Sequence, residues 1–390
     1  MGTLFEEWRR RSPHYDDTHE AIAQSVRRFI AAEAAPNIEA WESARMIPAD
    51  FHRRAGEAGL LGLGFPEEYG GTSEGIDVFH VMVQGEEIAA PGAGGLYSAL
   101  NTHMVALPPV LLLGSAAMKR RIAPDVIAGR KIMALGITEP SGGSDVARLR
   151  TRAERRGGHY VVNGSKTFIS SGMRADYFTV AVRTGGTGID GISLLLIEKD
   201  LPGFSRTPLE KMGWHCGDTA TLYFDNVTVP AENLIGPENG GFLRILENFN
   251  SERLTAAHQC CAFARVCLQE AAAWALERET FGKKLGQHQV IRSKLGDMAR
   301  HIDATQAYVD LCAWRFTRGL AQPADFALLK VQATRTFELI AREAAQVLGG
   351  ASFIRGNKIE RIYREVRVMA IGGGSEEILL DLAGRQLGFG

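Results

Sequence analysis

The sequence predicts an α+β protein in which a helical domain, a small antiparallel β domain and a C-terminal four-helix bundle follow one another along 390 residues. Apolar residues recur at helical spacing in the first third of the chain and again after Gly240. The middle third instead contains short stretches rich in β-branched and aromatic residues. We therefore place the domains at residues 1–130, 131–236 and 237–390.

The first third is predicted to be helical because its apolar residues repeat every three to four positions. One helix begins at Asp17 and Glu20, which are placed like a capping pair, and ends at Pro36. A serine cap at Ser115 starts the last helix of this domain. The further predicted helices span residues 48–59, 76–89 and 115–129.

The middle third is predicted to form an antiparallel sheet. Asn163 and Gly164 separate two of its strands, and both residue types tolerate positive φ, which indicates a hairpin turn. The predicted strands are residues 132–138, 159–162, 166–169, 177–182, 192–198 and 221–227. Long amphipathic runs then predict the helices of the bundle at residues 242–279, 286–318, 324–348 and 358–369.

Composition excludes several classes of function. The chain has 44 Lys plus Arg against 45 Asp plus Glu, so no overall field favours nucleic acid or an anionic membrane. Its five cysteines are odd in number and form no CxxC pair, which argues against a disulfide framework and against a structural zinc site. The N-terminus lacks the apolar core of a secretion signal, and the apolar runs are shorter than the ~20 residues of a spanning helix. We expect a cytoplasmic protein without membrane or nucleic-acid partners.

Two neighbouring segments of the β domain carry candidate chemistry. Residues 134–146 read ALGITEPSGGSDV, in which small side chains let a backbone approach a flat ligand and hydroxyls supply directed hydrogen bonds. Phe168 and Ser170 stand two apart in the next segment and so share a strand face. An ordinary Pro/Gly turn explains the first segment equally well, and an aromatic on a strand face is more often a core residue than a cofactor contact. No Rossmann fingerprint or P-loop is present, so a nucleotide would be held in another way.

Five segments together resemble the signatures of the acyl-CoA dehydrogenase family, in that family's order. They are ITEPSGGSD, NGSKTFIS, RETFGKKLGQHQ, QVLGG and IGGGSEEI, and the likeness extends over nearly every residue after about position 20. The resemblance implies FAD as cofactor, an acyl-CoA substrate, an electron-transfer flavoprotein as partner, and a homotetramer built as a dimer of dimers. An acyl-CoA oxidase and a non-catalytic flavin-bearing relative that binds DNA or acts as a scaffold are the alternatives.

The resemblance also assigns cofactor contacts to positions that match the family's motifs. An arginine suits a phosphate because its fork of donors matches the oxygens, although without the resemblance Arg278 is better explained as a solvated charge at a helix end. Ser375 and Glu377 open a helix after three glycines, where backbone N–H groups are available to a phosphate. The residues implied to line the isoalloxazine are Leu135, Ile137, Thr138, Phe168, Ile169 and Ser170. Those implied to reach FAD from a neighbouring subunit are Arg278, Thr280, Phe281, Gln289, Gln346, Gly349 and Gly350.

The dehydrogenation that the family performs needs a carboxylate to remove an α proton. Many relatives carry it in the terminal motif, where this chain has Gly373 followed by Gly374. The segment NFNSERL instead supplies Glu252, at the position that isovaleryl- and long-chain-type enzymes use. Taken alone, a glutamate in a helix is usually a surface carboxylate. The resemblance makes Glu252 the predicted base, with substrate contacts from Ser144, Asn250, Arg253, Gly373 and Gly374.

Overall fold

The structure is a computed structural model that describes residues 4–389, except for the side chains of residues 242–248. The chain forms two compact units. The first comprises Met1–Glu39, Ile76–Gly94 and Asn250–Gly390, and the second comprises Ala40–Gly75 and Gly95–Phe249. The first unit is helical and the second contains the sheet.

Helices form most of the first third of the chain, as predicted. They are α1 (Leu4–Arg11), α2 (Asp17–Phe29), α3 (Ile38–Ala44), α4 (Ala49–Glu57), α5 (Val78–Ala89), α6 (Gly94–Asn101), α7 (His103–Ala106), α8 (Pro108–Leu113) and α9 (Ala116–Ile127). The predicted cap at Ser115 is confirmed, because its hydroxyl accepts a hydrogen bond from the backbone N–H of Met118 at 3.1 Å.

The helix α2 begins at Asp17, as predicted, but its capping pair and its end differ from the prediction. Its N-cap is Asp16, which accepts from the backbone N–H of His19, while the His19 ring accepts from the backbone N–H of Asp16 at 3.1 Å. Histidine thus takes the reciprocal position that Glu or Gln fills in a standard capping box. The chain also stays helical through Pro36, which lies at the start of a 3₁₀ turn where its missing N–H costs no bond.

One stretch, Gly94–Leu113, is long and apolar enough to cross a membrane by length and composition. It is longer than the apolar runs that the sequence analysis identified. In the structure it forms three short helices, α6 to α8, and 56% of its apolar window is buried within the protein. Ala106, Leu107 and Val110 belong to a hydrophobic core that also includes strand residues of the sheet. The stretch is therefore packed as core in the folded chain.

The middle third forms a mostly antiparallel sheet, as predicted. Its strands are β1 (Met133–Gly136), β2 (Arg152–Arg156), β3 (His159–Ser170), β4 (Tyr177–Arg183), β5 (Ile192–Glu198), β6 (Phe204–Pro208), β7 (Thr219–Pro230) and β8 (Leu234–Ile235). Their order is β6-β7-β3-β2-β4-β5-β8, and β1 pairs with β4 in parallel. A second core, built around Tyr160, Phe178 and Leu222, packs on this sheet.

The predicted hairpin at Asn163 and Gly164 is wrong. The strand β3 runs unbroken through both residues, and its pairing with β7 shifts register between Val162 and Gly164. Gly164 has a φ of +141°, and a Cβ there would lie 2.7 Å from the Cα of Thr151. Gly164 therefore allows a β-bulge in which two backbones come close together. The Asn-Gly dipeptide suits such a bulge as well as it suits a turn.

The last third is helical, as predicted, and its long helices position the candidate base. They are α10 (Gly241–Glu277), α11 (Gln289–Thr317), α12 (Pro323–Leu348), α13 (Lys358–Glu365) and α14 (Glu376–Gln386). A two-stranded ribbon of β9 (Glu279–Thr280) and β10 (Lys283–Lys284) joins α10 to α11.

Buried charges fix α10 within the helical unit. Arg265 of α10 donates to Glu86 of α5 at 2.9 Å, and Arg9 of α1 donates to the other oxygen of Glu86 at 2.6 Å. The ring of His258 also bonds the carbonyl oxygen of Met82 at 2.9 Å. A buried ion pair is stable only when both charged groups are well placed for hydrogen bonding. These contacts therefore define how α1, α5 and α10 pack.

Candidate active site

A buried ion pair holds together the two signature segments of the β domain. The Nζ of Lys166 donates to Oε1 of Glu139 at 2.9 Å and to the carbonyl oxygen of Ile137 at 3.0 Å. Glu139 also accepts from the backbone N–H groups of Arg150 at 2.6 Å and Thr151 at 2.8 Å. The loop that follows β1 is thus fastened to β3 and to the start of β2.

Both members of this pair are charged at neutral pH. Burial lowers the pKa of Lys166 to about 8, because the neutral amine is easier to desolvate. Burial alone would raise the pKa of Glu139, but the Lys166 charge and the hydrogen bonds hold it at about 2. Sequence analysis missed this pair, since neither charge stands at a spacing that indicates a partner.

Phe168 has a strained backbone and an exposed ring. Its φ is +61°, in the left-handed region that bulky residues rarely occupy, and its side chain is 69% exposed. The pairing of β3 with β7 shifts register between Lys166 and Ile169, which turns Phe168 outward while Ile169 stays buried. The alternative that Phe168 belongs to the core is therefore wrong, and an exposed ring on strained backbone is typical of a ligand site.

The structure brings the residues predicted to line the isoalloxazine close together. The backbone N–H of Thr167 donates to the carbonyl oxygen of Thr138 at 2.8 Å, which joins residues 135–138 to residues 168–170. Ile137 is buried, whereas Leu135, Thr138 and Ser170 are half-buried at the surface of the sheet. Ser144, predicted to contact substrate, is exposed in the loop that Glu139 anchors.

The residues predicted to serve a neighbouring subunit are mostly exposed in this chain. Phe281 has a φ of +50° and is 96% exposed at the tip of the ribbon. Leu285 donates its N–H to the carbonyl oxygen of Arg278 at 2.7 Å, and the hydroxyl of Thr280 bonds the His288 ring at 3.1 Å. The exposed members are Arg278, Phe281, Gln289, Gln346, Gly349 and Gly350, while Thr280 is half-buried.

Glu252 lies in α10 with one carboxylate oxygen shielded from solvent. Among the described residues, its Oε2 has no hydrogen-bond partner. The adjacent Arg253 donates from Nη1 to Oδ1 of Asn250 at 3.3 Å and from Nε to the carbonyl oxygen of Gly373 at 3.4 Å. Glu252 as a whole is half-buried, and a shielded carboxylate oxygen without a partner among the described residues is costly for folding, which fits the role of base predicted for it.

The terminal glycines face Glu252. Gly373 has a φ of +69° and Gly374 a φ of +106°. A Cβ at position 373 would lie 3.5 Å from Oε1 of Glu252 and 3.8 Å from Nζ of Lys330. A side chain at 373 would therefore point at the space that the Glu252 carboxylate already borders.

Burial and two cations act in opposite directions on Glu252. Burial raises the pKa of its carboxyl group, and the charges of Lys330 and Arg253 oppose that rise. Burial also lowers the pKa of Lys330 to about 8. Sequence analysis missed Lys330, because a lysine within an amphipathic helix looks like part of its solvated face.

The residues after the glycines divide into two groups. Ser375 stands at the N-cap position of α14, but its side chain makes no cap hydrogen bond. Glu376 accepts from the hydroxyl of Thr334 at 2.7 Å and from Nε of Arg335 at 3.0 Å. Glu377 is exposed. Glu376 thus ties α14 to α12, while Ser375 and Glu377 lie at a helix N-terminus suited to an anion.

The chain matches family models over most of its length. Residues 16–130, 134–227 and 239–388 match the N-terminal, middle and C-terminal domains of acyl-CoA dehydrogenase. Acyl-CoA dehydrogenase AFT10-1 of Alternaria alternata is 37% identical over 95% of this chain and 91% of its own. The chain belongs to the acyl-CoA dehydrogenase family. The mouse long-chain specific acyl-CoA dehydrogenase is 32% identical over 96% of this chain and 87% of its own.

Solved structures share the fold of this chain. A probable acyl-CoA dehydrogenase from Mycobacterium abscessus has 45% identity and a TM-score of 0.94, covering 96% of this chain and 99% of its own. A chain from a structure of the electron-transferring flavoprotein of Acidaminococcus fermentans has 30% identity and a TM-score of 0.92, with coverages of 96% and 99%. A glutaryl-CoA dehydrogenase from Mycobacterium smegmatis in complex with FADH2 has 27% identity and a TM-score of 0.90, covering 96% of each chain.

The acyl-CoA dehydrogenase family is flavin-dependent, and features of this chain fit a flavin. An exposed aromatic ring on strained backbone at Phe168 and half-buried hydroxyls at Thr138 and Ser170 suit a flat, polar-edged ring system. The loop that carries Thr138 is held rigid by the Glu139 ion pair. The chemistry of these residues therefore fits the isoalloxazine contacts that the family resemblance predicts for them.

Proposed function

We propose that the protein oxidises a saturated acyl-CoA thioester to the trans-2-enoyl-CoA with FAD as cofactor and Glu252 as the base. The observation that carries the proposal is the Glu252 carboxylate beside the Gly373 turn, which has a shielded oxygen without a hydrogen-bond partner among the described residues. A family member without a side-chain base at position 373 needs a carboxylate from another segment, and Glu252 borders the same space.

The proposed reaction removes one proton and one hydride from adjacent carbons. Glu252 takes the α proton, the electron pair of that C–H bond forms the new double bond, and a hydride leaves the β carbon. When bound, the flavin supplies the hydride acceptor at its N5 position. The raised pKa of Glu252 suits this role, since a base with a higher pKa accepts a carbon-bound proton more readily.

The glycine turn is the proposed site of thioester polarisation. The positive φ values of Gly373 and Gly374 turn the backbone sharply next to Glu252. A backbone N–H at Gly373 would donate to the thioester carbonyl and stabilise the charge that develops as the α proton departs. Arg253 already bonds the carbonyl oxygen of Gly373, in the peptide that follows this N–H, so it would help to hold the turn in place.

Two polar residues are each proposed to contact the substrate chain. Asn250 supplies an amide oxygen that already accepts from Arg253, so Arg253 would orient it towards the pantetheine arm. The exposed hydroxyl of Ser144 is proposed to contact the thioester end of the chain. Neither residue bears a negative charge, so these contacts would position the substrate without repelling its phosphates.

We propose an electron-transfer flavoprotein as the acceptor of the electrons. Its support is the family and the likeness to a chain from an electron-transferring flavoprotein structure. An acyl-CoA oxidase, which would pass electrons to oxygen directly, is the second candidate. A measurement of flavin reoxidation separates the two, because the oxidase would be reoxidised rapidly by oxygen without a protein acceptor.

The proposed function predicts that acyl-CoA bleaches the flavin in the absence of oxygen. We expect the FAD-loaded protein, mixed anaerobically with linear, branched and aromatic acyl-CoA thioesters, to lose its oxidised flavin absorbance with at least one of them. Free acids of the same chains serve as the control, because they lack the thioester that acidifies the α proton. Unchanged absorbance across the whole series would contradict the proposed dehydrogenation and favour a non-catalytic flavoprotein.

We propose that exposed residues at the ends of the bundle helices complete the FAD site of a second subunit in a homotetramer. Arg278→Ala is then expected to lower FAD affinity by about 10-fold or more, because a charge-assisted hydrogen bond to phosphate is lost. FAD content and particle size are measured together by gel filtration with flavin absorbance. Arg300→Ala, which removes an exposed arginine paired with Asp297, is the matched control. Equal FAD retention in both variants would remove Arg278 from the site.

A further inference from the structure

Lys330 is a buried lysine that bonds the backbone on both sides of Gly373. It lies in α12 with 1% of its surface exposed. Its Nζ donates to the carbonyl oxygen of Gly372 and, at 2.7 Å, to the carbonyl oxygen of Gly374. The ammonium group therefore clamps the turn whose middle residue faces Glu252.

The same ammonium group faces the candidate base. The position that a Cβ of Gly373 would occupy lies within 4 Å of both Nζ of Lys330 and Oε1 of Glu252. The two side chains come from different helices, α12 and α10, and meet at one small space above the turn. An ammonium charge so close to a carboxylate favours its ionised form.

The charge of Lys330 exceeds what the turn alone requires. A neutral donor such as an amide N–H₂ could satisfy the same two carbonyl oxygens. Burial lowers the pKa of Lys330 to about 8, which shows that its charge is costly to keep in this environment. That cost is offset if the charge serves the neighbouring carboxylate, whose Oε2 has no hydrogen-bond partner among the described residues.

We propose that Lys330 is a positioning residue for the dehydrogenation, whose ammonium group fixes the Gly372–Gly374 turn and keeps the Glu252 carboxylate ionised at neutral pH. The inference rests on the proposed function, because it assigns Lys330 an effect that acts through Glu252. It adds a second requirement to the site: a cation on α12, separate from the base on α10.

Other charged groups around Lys330 set how large its effect is. Arg253 is a second cation near Glu252, so the loss of Lys330 removes part of the positive charge and not all of it. The thiol of Cys260 stays neutral, since burial raises its pKa far above the usual range. Glu376 of α14 is engaged by Thr334 and Arg335. Within the part of the chain whose side chains are described, Glu252 is therefore the carboxylate near Lys330 that lacks a hydrogen-bond partner for one of its oxygens.

The test compares Lys330→Gln with Lys330→Arg in the FAD-loaded protein. Glutamine keeps a donor for the turn without the charge, whereas arginine keeps both. The ionisation of Glu252 is followed by infrared titration of its carboxyl band, identified by difference from Glu252→Gln. Anaerobic flavin bleaching by acyl-CoA is recorded over the same pH range. Lys294→Gln, which removes a lysine charge paired with Glu343, is the matched control.

We expect Lys330→Gln to move the infrared midpoint of Glu252 alkaline by about one to three pH units, as for the loss of an opposite charge at close range. Its bleaching rate should fall at neutral pH and return close to the parent rate above the new midpoint. Lys330→Arg and Lys294→Gln should keep the parent midpoint. Recovery at high pH distinguishes a charge effect from a general loss of structure.

Two results would overturn the inference. One is an unchanged Glu252 midpoint in Lys330→Gln, and the other is an equal alkaline shift in Lys330→Arg, which retains the charge. If Lys330→Gln does not fold, an alkaline shift of the Glu252 infrared midpoint in Lys330→Arg would still overturn the inference. Failure of the proposed function would look different, since none of the acyl-CoAs would then bleach the parent, or Glu252→Gln would bleach as fast as the parent, while the infrared midpoint of Glu252 in the parent and the Lys330 variants continued to report on Lys330.

Discussion

Replacement of Glu252 by glutamine is expected to slow flavin reduction by acyl-CoA by about 10² to 10⁴-fold, the usual contribution of a positioned general base. Glutamine keeps the size of the side chain and one acceptor oxygen but cannot take a proton. FAD content and acyl-CoA binding should survive, because the loss falls on the chemical step. Rapid anaerobic mixing with the best substrate of the parent, monitored by flavin absorbance, measures the rate.

A surface glutamate provides the control for this substitution. Glu7→Gln changes an exposed carboxylate of α1 and should leave the rate of bleaching unchanged. If Glu252→Gln reduced its flavin within about tenfold of the parent rate, the difference would be only ~1.4 kcal/mol in barrier and another group would be the base.

The pH dependence of the parent should identify the same carboxyl group. Burial raises the pKa of Glu252 above its usual value, so the ionised base is lost as the pH falls through that raised value. The bleaching rate of the parent should therefore rise with pH along its acid limb, and this limb should be absent from the residual rate of Glu252→Gln. The raised pKa also means that ionisation of Glu252 opposes folding at higher pH.

Much of the fold could be predicted from the sequence because its signals are local. Helical periodicity located α5, α9 and the long bundle helices to within a few residues, and Ser115 caps its helix as expected. Such signals depend on residues three or four positions apart, which a sequence displays directly. The alternation of the middle third likewise gave most strands of the sheet.

Errors arose where one residue pattern serves two structures. Asn163 and Gly164 suit a hairpin, but β3 continues through them because a long partner strand, β7, offers pairing on both sides. Asp17 and Glu20 look like a capping pair, yet Asp16 and His19 take that role. In each case the residue pattern fits two local structures. The contacts that decide between them cannot be read from the spacing of residues in the sequence.

The candidate base and the glycine turn beside it could be predicted only by resemblance, and the lysine that joins them could not be predicted at all. Lys330 lies 78 positions after Glu252 along the chain, and they meet only because α10 and α12 bring their buried faces to the same glycine turn. Lys166 and Glu139 are likewise joined by sheet pairing across the signature loop. Contacts between charges that are far apart along the chain produce no periodic pattern in the sequence. Residues that shift the pKa of a reacting group are therefore harder to predict than the reacting group itself.

Removal of the Lys166 charge is expected to have the largest effect on stability. Lys166→Met should destabilise the protein by about 3–5 kcal/mol at neutral pH, because it leaves the buried Glu139 carboxylate without its cation. Urea unfolding with and without FAD measures the loss, and the flavin should dissociate more readily as the Thr138 loop loosens. Acid should reduce the deficit, since without Lys166 the pKa of Glu139 rises and protonation removes the unpaired charge. The double variant Lys166→Met with Glu139→Gln should recover much of the stability at neutral pH, whereas an equal loss in single and double variants would show that packing, and not the ion pair, holds this loop.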